Sequence, residues 1–148
     1  GRLIGRLYLP DVLREKMAVS PMVIVEQSVE QRVDVVLADY IVDLGQRYAT
    51  LYGEEAGASL HAQKLQDDLA RIRKRLGGER HSRMSAVMTH AFAHQALTGD
   101  LSLHRDWISF LLENYYDPMY EYQLEQRQGT PLFCGDREAV MHWAAQAG

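Results

Sequence analysis

A single cysteine, Cys134, stands in the 148 residues. That scarcity excludes an internal disulfide and a thiolate-built metal site, and it favours a cytoplasmic location. Long apolar runs are missing too. Runs such as Met22-Val23-Ile24-Val25, which no other apolar run exceeds, are far shorter than a membrane span, and no stretch has the zones of a signal peptide, so no membrane partner is expected. Positive charge is not in excess: the formal net charge is −4, which argues against a surface-wide nucleic-acid coat and leaves a local basic patch as the electrostatic route to RNA. No Gly-Lys pair occurs anywhere, so there is no Gly-x-x-x-x-Gly-Lys-[Ser/Thr] loop. Such a loop needs its glycines for close backbone approach to phosphate and its lysine to meet the charge. The chain by itself is therefore not expected to hold a nucleotide in that way.

What is present is ordinary globular material, 47% hydrophobic and 24% charged, enough for one domain with a real core. Pro10 opens a first helix with Leu13 and Met17 on one face, and Ser20-Pro21 ends it. Met22 to Glu26 is β-branched and reads as a buried strand. Ser28 and Gln31 form a capping box that opens a long helix carrying Val29, Val33, Val36, Leu37, Tyr40 and Leu44. Gly53 and Gly57 bracket the next loop. A second long helix has its apolar stripe at Leu65, Leu69, Ile72 and Leu76 and stops at Gly77-Gly78. Arg83 to Leu97 gives another helix, and Asp100 opens the one that follows. Asp117-Pro118 predicts a sharp corner, with the preceding helix stopping near Tyr116 and Asp117 capping the next, which Gly129 closes. Thr130 to Cys134 is a second strand, and Asp136 caps a final helix through Trp143.

Three clusters carry chemistry. Arg71, Arg73, Lys74, Arg75, Arg80 and Arg83 are offset only by Glu79. They suit phosphate or RNA backbone, or equally a solvated helix end whose dipole favours cations. His90 and His94 share a helix face, but Ala91, Phe92 and Ala93 lie between them with no general-base Glu, so these read as surface or packing histidines and no metal site is expected. Tyr115, Tyr116, Tyr120 and Tyr122 crowd the Asp117-Pro118 corner. Tyr115 reads as packing; for the others, packing and a stacking surface for a nucleobase both stay open.

The run Leu111-Leu112-Glu113-Asn114-Tyr115-Tyr116-Asp117-Pro118-Met119-Tyr120-Glu121-Tyr122-Gln123-Leu124-Glu125 resembles the C-terminal signature of the bacterial tRNA 2-selenouridine synthases. Gly1-Arg2-Leu3-Ile4-Gly5 with Leu9-Pro10 is similar to that family's Ser-Arg-x-Ile-Gly…Leu-Pro segment. Arg73-Lys74-Arg75-Leu76-Gly77 resembles its basic helix end, and Phe133-Cys134-Gly135-Asp136 its Phe-Arg-Gly-Asp/Glu strand end, with Cys134 in place of arginine. The resemblance runs from Arg2 to about Trp143.

It implies a mainly α fold with two short parallel strands, the C-terminal part of a P-loop kinase-like α/β domain. Residues 1–28 and 129–148 would close the α/β core and 29–128 would form a helical insertion. The rhodanese-like and P-loop portions would lie upstream of Gly1, in keeping with the missing initiator methionine. Cys134 is then a small half-buried side chain, not the rhodanese-type nucleophile. The implied activity converts wobble 2-thiouridine to 2-selenouridine through S-geranyl-2-thiouridine, with selenophosphate and geranyl diphosphate as substrates and the tRNA anticodon region as partner. Arg2 and Arg32 would lie near the P-loop site and meet phosphate oxygens; the alternative for both is an ion pair with a neighbouring carboxylate, the reading favoured for Arg32. The signature residues are Tyr115, Tyr116, Asp117, Pro118, Tyr120, Tyr122 and Gln123, and no catalytic residue is assigned within the chain. The open strand edge also allows a homodimer. The rival reading is a non-catalytic helical module that binds RNA or protein.

Overall fold

The structure is a computed structural model that describes residues 3–4, 7–127 and 129–147; Arg2 lies outside them. Along the chain come β1 (Leu3–Ile4), β2 (Leu7–Tyr8), α1 (Asp11–Val19), β3 (Val23–Val25), α2 (Val29–Val36), a π segment (Leu37–Asp43) and α3 (Leu44–Tyr52). There follow α4 (Glu54–Arg71), α5 (Arg73–Leu76), α6 (Gly78–Thr98), α7 (His104–Leu111), a second π segment (Leu112–Tyr116), α8 (Asp117–Glu125), β4 (Phe133–Gly135) and α9 (Arg137–Ala147). The chain is mainly helical, and β3 and β4 pair in parallel, as expected. The antiparallel pair β1–β2, with Leu3 opposite Tyr8, was not anticipated, since two-residue strands carry no readable period.

The contacts fall into two compact units, Gly1–Gln27 with Tyr120–Gly148, and Ser28–Met119. In the first, β3 and β4 register Val23 with Phe133, Ile24 with Cys134 and Val25 with Gly135. The ladder is extended by Leu132 N–H to Met22 O (2.8 Å) and Glu26 N–H to Gly135 O (2.7 Å). Asp136 caps α9 by accepting from Ala139 N–H at 2.8 Å, and α9 lies on the strand pair with Trp143 stacked on Phe133. Val23 and Val25 are exposed and Ile24 half-buried, so the strand expected to be buried is not. Two paired strands with one helix upon them leave side chains on the other face open. Cys134 is likewise exposed, because alternation along β4 points it away from α9.

The second unit holds every fully buried apolar side chain of the described chain, from Val33 to Leu111. The Ser28–Gln31 capping box forms as expected. The stripe Leu65–Leu69–Leu76 is buried beside Met84, Met88 and Ala91 of α6 and Trp107, Ile108 and Leu111 of α7. Burying each such side chain contributes roughly 1.5–3 kcal/mol.

Four boundaries differ from the sequence reading. Gly57 lies inside α4, and Gly53 alone (φ 84°) turns the chain. The stripe helix breaks at Ile72 (φ −94°, ψ −1°), and α6 starts directly at Gly78 after Gly77 (φ 93°). Asp100 builds a turn by accepting from Ser102 N–H (3.1 Å) and Ser102 Oγ (2.5 Å), and α7 begins only at His104. The predicted corner at Asp117-Pro118 is absent: helix runs unbroken from His104 to Glu125 and Asp117 is itself helical (φ −61°, ψ −49°). The π segment explains this. Asp117 N–H bonds back five residues to Leu112 O, widening the turn where the ring of Pro118 would otherwise strike a carbonyl and where no proline N–H is offered.

Gly57 sits at the tightest approach in the unit, where an added Cβ would fall 2.6 Å from Tyr48 O and 2.7 Å from Ala49 N. Backbone atoms cannot yield as a side chain can. Gly57→Ala should therefore destabilise by about 1–3 kcal/mol despite alanine's helix propensity. Gly78→Ala, whose Cβ would meet nothing within 4 Å, should be neutral or stabilising; urea midpoints of the two variants provide the comparison.

Candidate functional site

The signature residues divide by the side of the helix they occupy. Tyr115 packs on the core and meets the ring of Tyr116 edge-on at 5.0 Å. Asp117 does not cap a helix. It accepts from both terminal nitrogens of Arg32, at 2.5 and 2.8 Å, and this bidentate geometry is the strong form of the carboxylate–guanidinium pair. The hydrogen bond with Arg32 holds the Asp117 carboxyl below its ordinary value, and the same bond raises Arg32. Arg32 is thus committed to an ion pair 85 residues away in sequence, the outcome weighed against a phosphate contact.

Further along α8, Tyr120, Gln123 and Leu124, with Arg127 just past the helix end, line a groove of about 440 Å³ in the first unit, opposite Pro21, Met22, Val23 and Ile24. Tyr122 is exposed and does not line it. Leu124 and Arg127 were not singled out from sequence. Leu124 lies four residues after Tyr120, the spacing that puts side chains on one helical face, and Arg127 follows just beyond the end of α8.

The basic cluster occupies a hairpin tip, not a single helix end. Arg71 is held at 2.8 Å by Asp68, and the Arg83 guanidinium lies 5.3 Å from the Phe110 ring centroid, a cation–π contact. Arg73, Lys74, Arg75 and Arg80 are exposed, and among the described residues no carboxylate pairs with them. The dipole at the C-terminal end of α5 accounts for cations at 73–75. It cannot account for Arg80, in the first turn of α6, where the dipole opposes positive charge.

Two histidines are buried. His104, fully inaccessible, accepts from Trp107 Nε1 at Nδ1 (3.0 Å) and donates from Nε2 to Gln95 Oε1 (2.9 Å). Both ring nitrogens are satisfied only in the neutral tautomer. His61 Nε2 donates to Tyr40 O at 2.7 Å, within the first π segment. Phe92 stands between the imidazoles, 5.4 Å from His61 and 4.6 Å from His104. Burial lowers His61, opposed by its bond to Tyr40, while burial and then the charge of His61 push His104 down to about 4. His94 faces Asp100 at 3.2 Å. Among the described residues no group of three His, Cys, Asp or Glu is placed to hold a metal ion, and no helix is long and apolar enough to cross a membrane.

This combination of an α-rich unit, one parallel strand pair and the Tyr-Tyr-Asp-Pro helix has relatives. A family model described as the tRNA 2-selenouridine synthase AAA domain matches residues 1–148, and the chain belongs to that family. Similar proteins include the tRNA 2-selenouridine synthase of Marinobacter nauticus, 44% identical over 144 residues, which cover 97% of this chain and 39% of that protein. That of Cupriavidus pinatubonensis is 46% identical over 143 residues, 97% of this chain and 39% of the relative. That of Pseudomonas fluorescens is 44% identical over 148 residues, 100% of this chain and 40% of the relative. The chain thus spans about two-fifths of the length of the curated relatives it matches. No solved structure matches it.

The buried imidazole sets an acid limit. In the unfolded chain His104 regains its ordinary value of 6.5 while the folded value is about 4, so between these pH values the unfolded state binds the additional proton. Its stabilising contribution is complete above pH 6.5 and is lost as pH falls through 4, about 3 kcal/mol in all. Asp117, held low by Arg32, adds a second loss below its ordinary 3.8. Urea unfolding from pH 7 to 4 should show the first decline, and His104→Gln should flatten it. A flat wild-type profile over that interval would rule out the neutral buried imidazole.

Proposed function

We propose that this chain is the C-terminal portion of a tRNA 2-selenouridine synthase and supplies tRNA and phosphate contacts to the conversion of wobble 2-thiouridine to 2-selenouridine through S-geranyl-2-thiouridine. The carrying observation is the hairpin tip, where Arg73, Lys74, Arg75 and Arg80 are exposed and, among the described residues, without carboxylate partners in a chain of net charge −4. An acidic protein that leaves this many cations unneutralised on one short segment is suited to an anionic partner, and the anticodon arm is the polyanion such an enzyme must hold. Arg71 and Arg83 act one step back, each held by its own partner.

In this reading the unit of Gly1–Gln27 and Tyr120–Gly148 closes a P-loop α/β core. The exposed faces of Val23 and Val25 and the spare edges of a two-stranded sheet support further strands beside them. The helical unit is the insertion. Rhodanese-like and P-loop portions upstream provide the chemistry on geranyl diphosphate and selenophosphate, and the groove of Tyr120, Gln123 and Arg127 forms part of the wall around that site. Arg2 contributes there, and Arg32 holds the signature helix through Asp117.

Two outcomes test this. Replacing Arg73, Lys74, Arg75 and Arg80 together by Ala in the complete enzyme should weaken tRNA binding and flatten its logarithmic salt dependence by roughly 0.7–0.9 per phosphate contact removed. Replacing Arg71, already paired with Asp68, should change that slope far less. An unchanged slope in the fourfold variant removes the tip from the interface. Separately, the 148-residue chain alone should give no turnover of thiolated tRNA with either substrate; measurable product would mean that the chemistry resides here.

A further inference from the structure

The face of α6 that points away from the core is unusual for an exposed helix. Met84, Met88 and Ala91 bury one side, and the opposite side presents Ser82, Ser85, Ala86, Thr89 and Ala93 with His81 and His90 at its margins, lining a shallow groove of about 540 Å³. Exposed helical faces ordinarily carry lysine and glutamate, whose long chains hold a partner at a distance. Here the lining is small and hydroxylated, and not one residue of it is acidic. Across the 29 positions from Arg71 to Gly99 there are six Lys or Arg and a single carboxylate, Glu79. The groove therefore begins at the basic tip and runs away from it along a lining without carboxylates, the nearest in sequence to its pinning residue Gln66 being Asp67 and Asp68 on α4.

Its floor is pinned. Ser85 Oγ donates to Gln66 Oε1 (2.8 Å), while Gln66 Nε2 donates to Ser85 O and Thr89 Oγ1 (3.0 Å each), tying α6 to α4. Thr89 Oγ1 in turn donates to Ser85 O at 2.9 Å. These groups are spent on rigidity. Ser82, His81 and His90 have no such bonds among the described residues and remain able to meet ribose hydroxyls and phosphate oxygens.

We propose that the α6 groove seats the ribose-phosphate backbone of the bound RNA, continuing the path that starts at the hairpin tip, with His81, Ser82 and His90 as its polar contacts and the small side chains of Ala86 and Ala93 leaving room for its close approach. The proposal rests on the tip being an RNA contact and extends it by about three turns of helix. Charge complementarity selects this occupant: a phosphodiester chain gains from the neighbouring cations and from the absence of carboxylates, and small side chains let its backbone lie close. A protein partner, the competing occupant, would find little apolar area to bury here.

The test compares exposed-site variants of the complete enzyme, with the tRNA substrate as probe and unfolding midpoints as the control for folding. Ser82→Glu/Ala86→Glu places two negative charges on the groove, and Ala86→Trp fills it without charge. Each should raise the tRNA dissociation constant at least tenfold, while a control charge at Leu97→Glu, exposed at the far end of α6, should change it less than twofold. If the groove variants bind tRNA within twofold of wild type while the fourfold tip variant is weakened, the groove proposal falls and the tip reading stands. If neither set alters binding, both fall. Unchanged tRNA affinity in the groove variants, with loss of self-association in sedimentation, overturns the proposal in favour of a protein occupant.

Discussion

The Arg32–Asp117 pair is the constraint around which the helical unit is arranged. It joins the first turns of α2 to the point where the long helix from His104 leaves its π segment, two places 85 residues apart in sequence. The pair is about one-quarter exposed on each side, so it is neither screened like a surface bridge nor stripped of water like a core one. Its bidentate form fixes an angle as well as a distance. Tyr115, two residues before Asp117, is held against the core, while Tyr120, three residues after it, reaches the groove facing Met22–Ile24.

The π segments matter for the same reason. A π turn sets the helix one residue out of α register, which frees a carbonyl and shifts every later side chain around the axis. In Leu112–Tyr116 the shift admits Pro118 without a break. In Leu37–Asp43 it coincides with Ile41 deep in the core and with Tyr40 O turned to accept from His61. His61 and His104 then carry a polar thread through an apolar core, separated by the Phe92 ring. Trp107 Nε1, Gln95 Oε1 and Tyr40 O are each satisfied by a neutral imidazole, so the core tolerates two titratable groups at neutral pH.

What could be read from sequence was what local chemistry determines. Ser28 with Gln31, Asp136 before the last helix, and the four-residue spacing of Leu65 and Leu69 each specify their outcome within one or two turns. The β-branched run at Val23–Val25 announced a strand, and its parallel partner followed from the resemblance. What escaped depends on atoms far away in sequence. Asp117-Pro118 has the local chemistry of a helix start, and only Arg32, together with a π turn that no propensity encodes, converts it to helix interior. Gly57 looks like a loop residue until Tyr48 is seen against it. The burial of His104 is not readable locally, because its acceptor Gln95 and covering ring Phe92 come from α6 while only its donor Trp107 lies on its own helix. The candidate site was legible in part for the same reason: the cations could be counted, but which were already paired could not.

That distinction carries the functional argument further than composition does. Six cations in thirteen residues would be compatible with a solvated helix end if each had a carboxylate or a ring. Arg71 and Arg83 do. Neutralising the remaining cations was within easy reach, since acidic residues outnumber basic ones 20 to 16 over the chain, yet from Ile72 to Gly99 only Glu79 is spent there. Arg80, set against the dipole of α6 beside three further cations, costs stability in the free protein. An anion bound at the tip relieves that repulsion, so the same arrangement that slightly destabilises the isolated helix pair strengthens its complex. Because the relief is electrostatic, it weakens with added salt, whereas the pinned Gln66–Ser85–Thr89 floor beside it does not. In the proposed complex the tip and its neighbouring face would differ in kind: one would attract an anionic chain over a distance, and the other would offer a rigid, uncharged bed on which it could lie.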